Sequence, residues 1–276
     1  MLKNITILGG RGMLGSDIVV EMRKHSYAVR VYDLPEFDIT NHFQLESVIK
    51  SSEIVINCAA YTNVEKAEDE FAKVNIINGY AVGELGQLAK RYDTKVLHIS
   101  TDFVFDGLKE GAYHEMDICA PLNNYGQSKR LGEIKLFKSN CKCCVVRLQW
   151  TYGKGGSNFI TKILNASKER KELKVVDDQI GSPTSTRMVA TVLLDLLSLK
   201  SFPRGLFHLS ANGFVSRYEM ARCLLGSKIV PCKTSDYETK TTRPLNSCFD
   251  CSKIETLLGY KLSNWKLLLD DYIRTL

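Results

Sequence analysis

The stretch "NITILGGRGMLG", residues 4–15, decides the fold. A short apolar, β-prone run ends in glycines at positions 9, 12 and 15, and a helix-prone segment follows at once. Glycines in this G-x-x-G-x-x-G spacing permit a tight turn, close backbone approach to a pyrophosphate, and close packing of helix on strand. The helix start then offers unpaired N–H groups and the positive end of its dipole to phosphate. A glycine-rich turn without a ligand is the plain alternative. The strand–turn–helix setting is the one a dinucleotide site needs. Gly9, Arg11, Gly12, Met13 and Leu14 form the loop side of the candidate site. Asp33 ends the next strand-like run, where an acid can bond the ribose hydroxyls of NAD. Arg11 pulls the other way, because a guanidinium can pair with the 2′-phosphate of NADP. The cofactor is therefore expected to be NADPH or NADH, with the choice open. Asp38 and Ile39 are expected near the adenine.

Outward from the loop, short apolar runs alternate with helical patterns. Strands are expected at 4–8, 28–32, 54–57, 95–100 and 144–149, and helices near 14–25, 42–51, 75–91 and 126–138. This alternation predicts an α/β protein with a doubly wound parallel sheet covered on both faces. Past residue 150 the pattern loosens into Gly, Ser and Thr turns with isolated helices. We therefore expect a dinucleotide-binding domain over 1–150 and a smaller substrate-binding region over 151–276, with some later segments returning to the sheet. No internal repeat or low-complexity linker interrupts the chain.

Composition excludes several classes. Of the 276 residues 44% are hydrophobic and 25% charged, which is globular composition. The start reads as a strand rather than a leader peptide, and no apolar run reaches the ~20 residues that span a bilayer. A cytoplasmic protein with no membrane partner is expected. The net charge of +6 is interleaved with acids rather than gathered in a stripe, so no nucleic-acid partner is expected. The nine cysteines are an odd count among apolar neighbours, as in "CKCCVVRL", and read as reduced, packed thiols. Cys141/Cys144 and Cys248/Cys251 have CxxC spacing. The first pair enters a strand, where neighbouring side chains alternate faces, and the second has no glycine-rich knuckle. No metal site is expected.

The chemistry is carried by "HISTDFVFDG", 98–107, and "APLNNYGQSKRLGE", 120–133. Tyr125 and Lys129 are one helical turn apart and share a face. Ser100, Thr101 and Asp102 follow the fourth expected strand, and the C-terminal ends of parallel strands face the ligand crevice. Reducing a carbonyl delivers hydride to carbon and a proton to oxygen. A free tyrosine, with a pKa near 10, exchanges protons poorly at neutral pH. A neighbouring ammonium and a nicotinamide cation are expected to lower that value. Thr101 would hold the substrate oxygen. A core-facing tyrosine beside a surface lysine is the plain alternative.

With these motifs and "VINCAAYTNVEKAE", "VNIINGYAVGELGQLAK", "VVRLQWTYG", "NFI", "VVDDQIGSPTST", "GLFHLSANG" and "TRPLNSCFD", the chain resembles the dTDP-4-dehydrorhamnose reductase family of extended short-chain dehydrogenase/reductases. The resemblance covers nearly the whole chain. It implies a Rossmann domain with a small C-terminal substrate domain. The implied activity is NAD(P)H-dependent reduction of the 4-keto group of dTDP-4-keto-6-deoxy-L-mannose, giving dTDP-L-rhamnose. It implies Thr101, Tyr125 and Lys129 as the catalytic set. Ala59, Ala60 and Tyr61 would line the dinucleotide, with Asn75 and Ser100 on the nicotinamide side. Thr62, Val64, Asp102, Phe103 and Trp150 would contact the nucleotide sugar, and Arg243 its diphosphate.

Departures bear on the details. Some relatives hold magnesium at a dimer interface through glutamates. Asp17 can stand for one, but Arg187 occupies the position aligned with another. A monomer or weak homodimer without metal is expected. "RLQW" replaces a common RTSW, and Phe103 replaces a common tyrosine, so a different 4-keto-deoxy sugar stays open. A dehydratase would place Asp-Glu after the threonine, whereas Asp102 is followed by Phe103. A non-catalytic dinucleotide-binding regulatory subunit is the remaining alternative; retention of Thr101, Tyr125 and Lys129 together argues against it.

Overall fold

The computed structural model describes residues 4–25 and 27–275. Its centre is a six-stranded, wholly parallel sheet. The strands are β1 (Asn4–Leu8), β2 (Ala28–Tyr32), β3 (Ile54–Asn57), β4 (Lys95–Thr101), β5 (Cys143–Leu148) and β10 (Gly205–Leu209). Their spatial order is β2-β1-β3-β4-β5-β10. From β1 the chain first winds one way to β2, then returns to the other side for β3. The reversal opens a crevice beyond the carboxyl ends of β1 and β3, where this topology binds ligands.

Every residue of β3 and of β5 is buried, as a parallel sheet covered on both faces requires. On one face Ile5, Ile7, Leu97 and Val146 pack against α1 (Met13–Lys24) and α8 (Thr186–Ser198). On the other, Leu8, Val55, Val96 and Val145 meet α2 (His42–Lys50), α5 (Ala81–Arg91) and α6 (Asn124–Lys138). Alternate residues of one strand thus enter different cores, the period-two signature of a strand.

The first half follows the expected elements to within a few residues. β4 runs one residue further, through Thr101, and β5 starts one residue earlier, at Cys143. The helix expected from residue 75 begins as α4 (Phe71–Asn75) and passes through a π-helical turn at Ile76–Tyr80 into α5; α3 (Val64–Ala67) precedes it. α6 starts at Asn124 because the Asn123 side chain accepts the Gly126 N–H at 2.8 Å, capping the helix.

Past residue 150, α8 lies along α1, and β10 pairs with β5 at the edge of the sheet. The remaining short strands are β6 (Thr151–Tyr152) with β9 (Thr184–Ser185), β7 (Leu173–Val176) with β12 (Ile229–Cys232), and β8 (Ile180–Gly181) with β11 (Val215–Ser216). With α7 (Phe159–Glu169), α9 (Arg217–Leu225) and α11 (Trp265–Ile273) they close two small apolar clusters beside the crevice. α10 is Ser252–Leu258. No helix among the described residues is long and apolar enough to cross a membrane.

α6 approaches its neighbours at backbone distance. A Cβ on Gly126 would lie 2.1 Å from the Phe103 carbonyl oxygen, and one on Gly132 would lie 2.2 Å from that of Asn78. Neither backbone oxygen can swing away as a flexible side chain can. Gly132→Ala should therefore cost about 2 kcal/mol of stability in chemical denaturation. An unchanged denaturation midpoint would contradict this packing account.

Candidate active site

Three polar side chains, Tyr125, Lys129 and Glu133, form a stripe on the face of α6 turned to the sheet. Tyr125 lies close enough to Thr101 for that hydroxyl to favour its ionised form. Lys129 Nζ donates to the Ile99 carbonyl at 2.7 Å. Glu133 accepts from the Ser100 hydroxyl at 2.6 Å. One helix face therefore bonds to successive residues, Ile99 and Ser100, at the end of β4. Beside it Asn78, wholly buried, donates to Ser128 Oγ at 3.0 Å and to the Tyr61 carbonyl at 3.0 Å, and accepts the Tyr61 N–H at 2.8 Å. That residue ties the segment after β3 to α6. The expected Asn75 is half-buried at the end of α4, three residues away.

Two expectations require correction. Ser100, expected to point into the crevice, gives its hydroxyl to Glu133, because successive strand residues face opposite sides. Tyr125 was expected to have its pKa lowered by the Lys129 ammonium and a nicotinamide cation together. In the protein alone burial, reinforced by the Asp102 charge, pushes it up to about 12, and Thr101 opposes this only in part. The protein's own groups thus hold Tyr125 in the protonated, donor form. Burial brings Lys129 down to about 8, against the pull of Glu133. Asp102 is 3% exposed. Burial raises its carboxyl, while Ser247, donating at 2.6 Å, and Thr101, donating at 3.0 Å, work the other way. Phe103 stands edge-on to the Tyr125 ring at 5.6 Å between centroids.

The glycine loop is built backbone to backbone. Gly9 has φ +71°, and a Cβ on it would sit 2.7 Å from Ala59 N; a Cβ on Gly15 would sit 2.2 Å from the Gly9 carbonyl oxygen. Ala59 is held in turn by Asn57, whose side chain accepts its N–H at 3.0 Å. Gly12 caps α1 with no side-chain hydrogen bond, and the first turn of α1 carries no acid. Such a helix start is open to a phosphate. Asp33 accepts N–H groups from Arg11 and Leu34, both at 2.8 Å, so it fastens the loop to the end of β2. The Arg11 guanidinium is exposed and paired with Glu36 at 2.7 Å. Met13 and Leu14 begin α1; Met13 meets the Asn158 amide at 3.7 Å, and Leu14 packs against the core. Ile39 lies in the core at 5% exposure, while Asp38 accepts from the Thr40 N–H and hydroxyl.

A cleft of about 400 Å³ is lined among others by Trp150, Phe159, Lys162, Arg217 and Arg243. Trp150 has φ +44°, a left-handed conformation uncommon for a bulky residue and typical of ligand clamps. Its indole lies 3.5 Å beneath the Arg217 guanidinium. Burial lowers the Arg217 pKa to about 9, with Asp102 opposing and Arg243 adding to the shift. Arg243 pairs with Glu65 at 2.5 Å. Thr62 is exposed, and the Val64 carbonyl accepts from Thr241 Oγ1 at 3.2 Å. Ala60 and Tyr61 are half-buried after β3. Sequence reasoning missed Asn78, Glu133, Arg147 and Arg217. Arg147 carried a readable signal: a charge inside the apolar run "CCVVRL" demands a buried partner. Arg217 carried none, since only the fold brings α9 to the cleft.

Asp17 accepts from Thr186 Oγ1 at 2.5 Å, and Arg187 is exposed. Among the described residues no group of three or more His, Cys, Asp or Glu is arranged to hold a metal ion.

Comparison with known proteins gives a family and close relatives. A family model described as the RmlD substrate binding domain matches residues 3–276. A dTDP-4-dehydrorhamnose reductase of Aggregatibacter actinomycetemcomitans is 36% identical, over 98% of each chain. The spore coat polysaccharide biosynthesis protein SpsK of Bacillus subtilis is 32% identical, over 99% of this chain and 98% of its own. Among solved structures, the dTDP-4-dehydrorhamnose reductase of Bacillus anthracis in complex with NADP superposes with a TM-score of 0.94, at 31% identity and full coverage of both chains. With fold and sequence similarity agreeing along nearly its whole length, the chain belongs to the dTDP-4-dehydrorhamnose reductase family.

Proposed function

We propose that this chain reduces the 4-keto group of a nucleotide-activated 6-deoxy sugar, dTDP-4-dehydro-L-rhamnose, with NADPH or NADH, giving dTDP-L-rhamnose. The observation that carries the reading is the convergence of Thr101, Tyr125 and Lys129 at the end of β4, between an open glycine loop and a basic cleft. The loop suits a dinucleotide: Gly9, Gly10 and Gly15 leave no room for a Cβ, and the start of α1, without a side-chain cap, is free to meet phosphate. Gly9, Gly12, Met13 and Leu14 would hold the pyrophosphate side. Arg11, Asp33, Asp38 and Ile39 would hold the adenosine side, and Ala59, Ala60, Tyr61 and Asn75 the remaining length.

When bound, the reduced nicotinamide supplies the hydride that reaches C4. The rest falls to the chain. Thr101 orients the C4 oxygen toward Tyr125. Tyr125, kept protonated by its burial, gives the phenolic proton to that oxygen. Lys129, one turn further along the same face, then favours the tyrosinate by charge. Asp102, Phe103, Thr62 and Val64 would frame the sugar. Trp150 offers an aromatic plane for the base, and Arg217 with Arg243 offers two cations for the diphosphate. We place the catalytic and dinucleotide work in the sheet domain, residues 1–150 with α8 and β10 added, and sugar binding in the other elements past residue 150.

Two outcomes test these roles. Tyr125→Phe should lower turnover by about 10²–10⁴-fold while leaving the dissociation constant of the cofactor within about twofold; retained turnover would remove Tyr125 as the proton donor. Arg217→Leu should raise KM for the nucleotide sugar by roughly tenfold or more, because it deletes a charge-assisted contact, with cofactor affinity unchanged. A KM that stays at the wild-type value would move the diphosphate away from α9.

A further inference from the structure

The third member of the α6 stripe, Glu133, has no part in the reaction as written above. Its side chain is wholly buried, and so is that of Arg147 on β5. The carboxylate accepts from Arg147 Nε at 2.8 Å and Nη2 at 2.7 Å, from Ser100 Oγ at 2.6 Å, and from Arg130 Nη1 at 2.8 Å. A buried ion pair adds little net stability, since apolar residues of similar volume serve a core as well. Its placement is the informative part. Ser100 directly precedes Thr101, and Arg147 is the residue across from Ser100 in the β4–β5 register. Glu133 lies one turn beyond Lys129 on the face that also carries Tyr125. The network therefore joins the strand end holding Thr101 to the helix face holding the proton donor.

We propose that Glu133 is a positioning residue for the reduction: clamped by Arg147, Arg130 and Ser100, it fixes the α6 face that carries Tyr125 and Lys129 against the end of β4. The inference rests on the reductase reading. Burial opposes the charge on Lys129 and Glu133 supports it. His98 on β4 is kept neutral by burial and by Lys129 itself, and burial pushes the Cys58 thiol after β3 up to about 12. Burial opposes the charge on Glu133 too, yet Arg147, Ser100 and Arg130 hold its carboxyl below the usual range. On the far side of Arg147, His208 of β10 is brought down to about 3, chiefly by burial, so the imidazole stays neutral beside Nη1 at 3.3 Å. The Cys119 sulfur accepts from Nη2 at 3.2 Å, and burial raises its thiol.

The test follows the ε-carbon resonance of Lys129 in [13C]lysine-labelled protein without cofactor, identified with Lys129→Arg, alongside kcat and KM against pH. Wild-type Lys129 should titrate near 8. Glu133→Gln should lower that midpoint by about one unit, and carry the alkaline limb of kcat down with it, while KM for the keto sugar stays unchanged. Because Glu133→Gln strands the Arg147 charge, Glu133→Gln/Arg147→Met removes the pair together and should fold, with the same direction of shift. Ser100→Ala keeps both charges and cuts the link to β4. It should lower kcat by roughly tenfold without moving the Lys129 midpoint. A folded variant lacking the Glu133 carboxylate, with kcat, KM and the alkaline limb all at wild-type values, overturns the proposal even if it melts earlier. Full kcat in Ser100→Ala overturns the positioning role. Failure of the wild-type chain to reduce the keto sugar would sink the reductase reading instead, and the cofactor-free titration would still decide what Glu133 does to Lys129.

Discussion

The contact between α6 and the end of β4 is the constraint on which the rest of the molecule depends. Two glycines let α6 touch the backbones of Phe103 and Asn78 directly. Lys129 and Glu133 on the helix face then bond to the consecutive strand residues Ile99 and Ser100. Because the sheet is parallel and buried on both faces, the β4 end is fixed relative to β1 and β3. The glycine loop that follows β1 is thereby held at a fixed distance from Tyr125 and Lys129. A helix shifted by one residue would turn the polar stripe away from the strand and press it into apolar neighbours.

Burial at this contact also shapes the chemistry. In water a lysine is charged across the neutral range and a tyrosine keeps its proton until about pH 10. Here desolvation moves Lys129 toward neutrality and Tyr125 further from ionisation. Each shift alone would slow an enzyme that cycles a proton near pH 7. A carboxylate one turn along the helix counters the first, and the positive charge that a bound reduced nicotinamide would gain as its hydride departs would counter the second. The tyrosine would thus be held as a donor until hydride transfer makes donation favourable.

Much of this was legible in the chain. β1 to β5 and the helices between them follow from apolar runs and glycine punctuation, since local periodicity governs where a parallel α/β sheet forms. Tyr125 and Lys129 were readable as a pair, because helical spacing alone places them on one face. What sequence concealed depends on tertiary contact. β10 is a five-residue run in a turn-rich region, and only pairing with β5 makes it a sheet strand. Ser100 looked like a ligand contact, yet strand alternation hands its hydroxyl to Glu133. The lowering of the Tyr125 pKa was inferred from the charges of Lys129 and a bound nicotinamide, and in the protein alone desolvation, which no sequence displays, prevails. Arg217 reaches the cleft only because α9 folds back over Trp150.

The central claim is that hydride and proton are delivered across one sugar carbonyl at this site. The most direct test supplies dTDP-4-dehydro-L-rhamnose with nicotinamide cofactor deuterated at C4, as NADPH and as NADH in parallel, and locates the label by NMR. The account predicts oxidation of the cofactor and deuterium at C4 of a dTDP-rhamnose product. Cofactor that binds yet stays reduced, or deuterium that appears anywhere but the sugar C4, would contradict it.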